Sequence, residues 1–313
     1  MQNLQALAAA WGVGTEFIPV IIDLIKNSRL LQSAVVQKAS HGIKHRYRIY
    51  NNLPEAAFRE IGQGITPQKL DINTAQIDLK ELVFDLFDDY KAVDEYPSGK
   101  DGYVIDATPA ALAAIAQSLT KALFYGNTAT IGISGGFKGF HQYAVDLGNT
   151  INAGGTNNAS TGIYAVRWDA QSGASIRVNN TALIDIKDLT PNQPTPIVTN
   201  TTDNIQLDVY KWKFSSYAAL VVASAKSVAK IRGLDSANAV TAAHLNSLID
   251  MVDDAAGQVF LYANRTGINQ IRNLKNTKLN LFSETSDYNT RVASWNGVPI
   301  LLDENIVNTE PNA

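Results

Sequence analysis

Cysteine is absent from the 313 residues, which removes disulfides, thiolate metal sites and cysteine nucleophiles together. Charge is also scarce. Only 18% of the residues are Asp, Glu, Lys or Arg, and 26 basic against 29 acidic side chains leave a net charge of −3. No basic domain is available to grip nucleic acid by counterion release. No apolar run reaches the length of a membrane span, and the early stretch 17–25 is broken by Pro19 and Asp23. The N-terminus lacks the basic start, continuous apolar core and small-residue cleavage site of a signal peptide. The sequons at Asn158, Asn179, Asn200 and Asn264 therefore read as chance products of an Asn- and Thr-rich chain. Neither G-x-x-x-x-G-K-[ST] nor a strand-linked G-x-G-x-x-G occurs, so no phosphate-binding loop is expected.

What is present suits a protein that builds its own core and lies against other protein. Hydrophobic residues make up 45%, normal for a globular chain, while the remaining surface must be largely neutral polar. Residues 1–40 have too few apolar positions for a core and read as an arm. From Ile43 the pattern alternates, with Lys44, Arg46 and Arg48 on one side and His45, Tyr47 and Ile49 on the other. A second alternating run, QIDLKELVFDLFDD (76–89), is expected to return antiparallel to it. The Gly-, Pro- and charge-rich segment 51–69 would form the tip. Such a hairpin has no core and needs a neighbour.

Thr108 followed by Pro109 resembles an N-cap and first turn, and Gly126 a C-terminal stop, predicting a helix over 108–125. Strands are expected at 162–170, 174–179 and along 205–231, where Tyr210, Trp212 and Phe214 share a face. A helix over 241–256 follows, then a strand, turn and short helix over 258–276, and a turn into a last strand over 295–306. The fold class is α+β, without regular βαβ alternation.

Three constellations invite chemistry. Gly132-Ile133-Ser134-Gly135-Gly136 matches the nucleophile elbow, but a helix start is not evident after it, and a flexible loop is the simpler reading. His41 and His45 have the spacing of helical metal ligands, yet they sit in a β pattern with no third ligand in sight. Asp85, Asp88, Asp89, Asp94 and Glu95 cluster without the spacing of a calcium loop, so ion pairing with Lys44, Arg46 or Arg48, across the hairpin or in a neighbouring chain, is expected instead. No catalytic, cofactor or metal residues are assigned.

KALFYGNTA (121–129), FKGFHQYA (137–144), TGIYAVRWDA, the run 207–235, FLYANRTGINQIRNLKN and WNGVPILLDENIVNTE together resemble a tailed-bacteriophage major capsid protein with the Hong Kong 97-type fold. The resemblance implies an N-arm (1–40), an E-loop hairpin (41–90), a P-domain with its spine helix (91–150), further P-domain strands (151–236) and an A-domain (237–313). The long aromatic strands precede the 241–256 helix, so the resemblance implies a permuted element order. Lys211–Ile231 should then lie in the sheet beside the spine helix.

A subunit of that kind would self-assemble into pentamers and hexamers of an icosahedral shell around double-stranded DNA, made in the host bacterial cytoplasm and ending in the virion. Scaffold, portal and decoration proteins would be further partners. DNA would be touched weakly, and no membrane or cofactor is implied. Arg46, Arg48, Arg59, Glu60 and Lys69 are the expected inter-subunit contacts. Lys69 is also near the place where some relatives form Lys–Asn cross-links, though no motif identifies its partner. The alternatives are an encapsulin-like nanocompartment shell and, more remotely, a serine hydrolase using Ser134.

Overall fold

A computed structural model of the chain describes residues 28–52, 58–64, 71–96, 99–128, 131–179, 185–191, 193–200, 205–252, 257–274, 283–284 and 292–311. The first elements are α1 (Arg29–Ser33), β1 (Val36–Lys38), β2 (Lys44–Asn52), β3 (Asp71–Asp78), β4 (Lys80–Asp89), α2 (Tyr90–Asp94) and the 27-residue α3 (Gly99–Tyr125). Then come α4 (Phe140–Asp146), β5 (Thr150–Asn152), β6 (Thr161–Trp168), β7 (Ala174–Val178), β8 (Asp185–Asp188), β9 (Thr195–Asn200) and the long β10 (Ile205–Val222). The chain continues through β11 (Val228–Leu234), α5 (Ala242–Asp250), β12 (Gln258–Ala263), α6 (Arg265–Leu274), β13 (Ser283–Glu284), β14 (Val292–Trp295) and β15 (Val298–Leu302). This is a mixed α+β chain with one large sheet and a separate two-stranded one.

The large sheet has two regions with different coverings. In one, β6 is central, antiparallel to both β11 and β12, and every one of its residues is buried. Period-two alternation sends its side chains into two cores. Tyr164, Val166 and Trp168 meet Leu119, Leu123, Phe124 and Tyr125 of α3 and Phe140 of α4. Ile163 and Ala165 meet Leu245 and Leu248 of α5 and Ile271 of α6. A sheet roofed on both faces explains why this stretch reads as nearly continuous apolar sequence.

In the other region β10 runs antiparallel to β4 over Val209–Ala218, and β7, β8 and β9 pair along its opposite edge. One face packs on α3, where Trp212 and Phe214 meet Ala111 and Ile115; the other is covered by Ala39 and Leu79 at Ala219 and leaves Val83 and Phe87 of β4 exposed. The aromatic face expected on this strand thus lies beside the spine helix, and Lys211–Val222 is in the sheet as anticipated. The segment 151–236 does not stay in this region, however, because β6 and β11 share the doubly covered sheet with β12.

Two local expectations change. α3 begins at Gly99, so Thr108 is interior and its hydroxyl donates to the Val104 carbonyl at 2.6 Å instead of capping. Tyr103 and Val104 pack against the aromatic face of β10, and that contact carries the helix back past Pro109. The hairpin is β2 with β3, in register Lys44↔Asp78 to Asn52↔Asp71, not with the whole of 76–89. The alternating run divides at buried Leu79, and its second half joins β10. Alternation marks a strand but not its partner.

The helix of 241–256 is observed as Ala242–Asp250, capped by Thr241, whose hydroxyl accepts from the His244 amide at 3.2 Å. Residues 253–256 lie outside the described ones.

Candidate functional site

The hairpin is built by β2 and β3 alone, which form their own sheet and pair with no other strand among the described residues. Arg46 is exposed, its Nε donating to Gln76 Oε1 across the ladder at 3.1 Å, and its amide to Ser40 Oγ at 2.9 Å. Arg48 is in register with Thr74. At the tip, Arg59 and Glu60 are exposed; Arg59 donates to the Gln63 carbonyl at 3.3 Å, and the Gln63 amide to the Glu60 carbonyl at 3.1 Å. The same tip carries Phe58 and Ile61 with their side chains wholly in solvent. Lys69 lies outside the described residues. Arg46 and Arg48 thus share a strand, Arg59 and Glu60 share a turn, and nothing gathers them into a pocket.

The acidic cluster does not pair with the hairpin, because β4 is not β2's partner. Asp85 is in register with Lys213 of β10. Asp88 accepts from the Tyr103 hydroxyl at 2.7 Å, and Asp89 caps α2 by accepting from the Lys91 amide at 2.8 Å. With the Asp88 carboxylate beside it, burial first and the hydrogen bond second push the Tyr103 hydroxyl up to about 12. Lys213 instead contacts Glu81 at 3.3 Å.

Ser134 is exposed in a turn, and the next helix starts only at Phe140. The strand–turn–helix geometry of a nucleophile elbow is therefore missing. His41 and His45 stand at the base of the hairpin. His45 Nδ1 accepts from the Ser40 amide at 3.3 Å, and its ring stacks on Tyr47. Burial, then Arg177 and His41, push the His45 pKa down. Among the described residues no three His, Asp or Glu side chains are grouped to hold a metal ion.

The most polar buried feature was not legible as a motif. Lys230 of β11 and Glu310 are both fully buried, with Nζ 2.8 Å from Oε2. Tyr125 and Tyr164 donate to Glu310 Oε1 at 2.7 and 2.8 Å, and Lys230 Nζ lies 2.6 Å from His141 Nδ1. Burial first, then Lys230 and Arg232, depress His141 to about 3, so its neutral ring accepts from the ammonium. Burial, then Glu310, drives both tyrosines well above their usual range. The Val307 amide donates to Tyr125 and the Glu310 amide to the Ser160 carbonyl, so the knot fastens the segment 303–310 to α3, β6 and β11. The two opposite charges and their hydrogen-bond partners are buried together, so the cluster ties these segments to one another.

The surface carries open grooves, of which two are well formed. One, about 1020 Å³, runs between the α1–β1 segment and the ends of β6, β7 and β12 and is flanked by Arg29, Lys38 and Arg177; the other, about 560 Å³, lies beside α5 and the Asn296–Gly297 turn. Neither brings together a nucleophile, a base and an anion-binding group.

A long helix laid across an aromatic-faced sheet and a projecting two-stranded hairpin are the architecture of a shell-building subunit of the Hong Kong 97 type. The family of major capsid protein GP7 matches residues 14–313, and the chain belongs to it: it is a bacteriophage major capsid protein. The structure is similar to that of bacteriophage epsilon15, with a TM-score of 0.62, 18% identity and coverage of 89% of this chain and 87% of that one. It is similar to the bacteriophage JBD30 capsid with a TM-score of 0.52, 13% identity and coverage of 89% and 91%. The encapsulin complex of Synechococcus elongatus PCC 7942 reaches a TM-score of 0.46 at 10% identity, covering 66% and 87%. No curated protein matches the chain in sequence. The family match favours the capsid over the nanocompartment alternative.

Proposed function

We propose that this capsid protein closes an icosahedral shell of pentamers and hexamers around double-stranded DNA. Arg46, Arg48, Arg59, Glu60 and Lys69 of the hairpin contact adjacent subunits. One observation carries the reading: a two-stranded hairpin with exposed charge and no core of its own, marginal unless a neighbour covers it. The chain then divides into the arm 1–40, the hairpin segment 41–90, whose β4 end joins β10 in the large sheet, P-domain parts 91–150 and 151–236, and A-domain 237–313. Those last two share strands through the β6–β12 pairing.

The role is structural and not catalytic. The subunit is made in the host bacterial cytoplasm, with scaffold, portal and decoration proteins as further partners. A net charge of −3 suits a container that touches DNA weakly. The test is sedimentation velocity of Arg46→Glu/Arg48→Glu and Arg59→Glu variants. The fraction in large particles should fall at least tenfold with an unchanged circular dichroism spectrum, and unimpaired assembly would reject these contacts. A reducing gel of assembled particles showing monomer alone would dismiss a covalent cross-link through Lys69.

A further inference from the structure

The large sheet has an unfinished edge. β1 lies parallel to β7, with Val36 opposite Ile176 and Lys38 opposite Val178. The Ile176 amide donates to the Val35 carbonyl at 2.8 Å, and the Ala39 amide to the Val178 carbonyl at 2.9 Å. Successive residues of a strand turn their backbone groups to opposite edges. The amides and carbonyls of Val36 and Lys38 therefore point away from β7, toward an edge that meets no other strand among the described residues. β6 reaches β7 only at Trp168, opposite Ala174, and β12 starts beside it at Gln258, so neither continues the sheet past β1.

That edge borders the groove of about 1020 Å³, whose lining takes in every residue from Ala34 to Lys38. Arg29, Lys38 and Arg177 flank it, and among the described residues none of the three forms an ion pair. Arg29 donates to Gln32 Oε1 at 3.4 Å and Arg177 to the Ala170 carbonyl at 3.0 Å, while the buried Arg177 Nε has no partner. Asp169 on the rim is already engaged: its Oδ2 accepts from the Gln171 amide at 3.1 Å and from the Ser172 amide and hydroxyl at 2.7 and 2.8 Å. Partly buried Phe260 and Leu301 give the groove an apolar side. A chain of net charge −3 thus gathers three unpaired cations along an open strand edge.

We infer that this groove binds an extended acidic peptide of a partner protein, which adds a strand beside β1. Its backbone pairs with Val36 and Lys38, its carboxylates meet Arg29, Lys38 and Arg177, and its apolar side chains rest on Phe260 and Leu301. Strand addition draws affinity from main-chain bonds and specificity from alternate side chains. A nucleic-acid backbone matches the groove less well, because phosphodiester oxygens accept hydrogen bonds but give none to the outward carbonyls of Val36 and Lys38. The inference goes beyond shell closure and does not depend on it, since the hairpin charges proposed for subunit contact lie on other elements.

The test is fluorescence anisotropy of the full chain with a labelled peptide of alternating Glu and Val. Saturable binding is expected, about tenfold weaker for a Lys–Val peptide and weakened several-fold by high salt. Lys38→Ala removes one charge at an exposed site and should weaken binding about threefold. Lys38→Pro also removes the outward amide donor and should weaken it by about a further tenfold. Two further Glu–Val peptides, N-methylated at the Glu or at the Val positions, block one strand edge each without altering the protein. One should lose binding and the other keep it. No binding, equal binding of the Glu–Val and Lys–Val peptides, or full binding by both N-methylated forms overturns the inference. So does a short DNA duplex that binds the groove more tightly than the Glu–Val peptide and displaces it.

Discussion

Lys230 and Glu310 show how much a single pair holds in place. Neither side chain reaches water, and together with Tyr125, Tyr164 and His141 they join five separate parts of the chain. Removing one partner strands a buried charge, so Glu310→Ala should cost about 3–5 kcal/mol in urea unfolding. Lys230→Met combined with Glu310→Leu should recover most of that loss, because the double change leaves no unpaired ion. His141 adds a pH signature. Its folded pKa of about 3 lies below the unfolded 6.5, so between those values the unfolded chain binds more protons. Stability should therefore fall as pH drops from about 6.5 towards 3, and His141→Gln should flatten that slope in denaturation midpoints. Sequence spacing carried no hint of this knot, because Lys230 and Glu310 are 80 positions apart and Tyr125, His141 and Tyr164 lie at least 66 positions from either. A lysine inside the apolar stretch SVAKIRGL was the one available sign.

At the scale of elements, local signals were read well where local chemistry decides. Thr241 caps its helix as its position suggests, and Gly126 ends α3 in the left-handed region at φ +58. A β-carbon at Gly126 would sit 2.3 Å from the Gly139 amide nitrogen and 2.4 Å from the Phe137 carbonyl. Gly126→Ala should cost at least about 3 kcal/mol, whereas Gly135→Ala, with φ +75 but open space around it, should cost about 1 kcal/mol. Thermal melts of the two variants make the comparison. Local signals misled where packing decides. Thr108–Pro109 has the form of a helix start, yet contacts of Tyr103 and Val104 with β10 extend α3 back to Gly99. The run 76–89 reads as one strand although two successive polar residues, Lys80 and Glu81, shift its phase, and its halves belong to different sheets, because strand pairing is a tertiary choice.

For the whole molecule, low charge and a coreless hairpin already pointed to a subunit that is finished by its neighbours. The family match over residues 14–313 and the likeness to the epsilon15 structure fix that class. The hairpin's charges were visible in the sequence, but the exposed apolar residues at its tip were not, since Phe58 and Ile61 look like ordinary core residues until both are found in solvent. Closure into a shell is read by electron microscopy of the purified chain. Uniform closed particles built of pentamers and hexamers are expected; dispersed monomers at every salt and scaffold condition would contradict it.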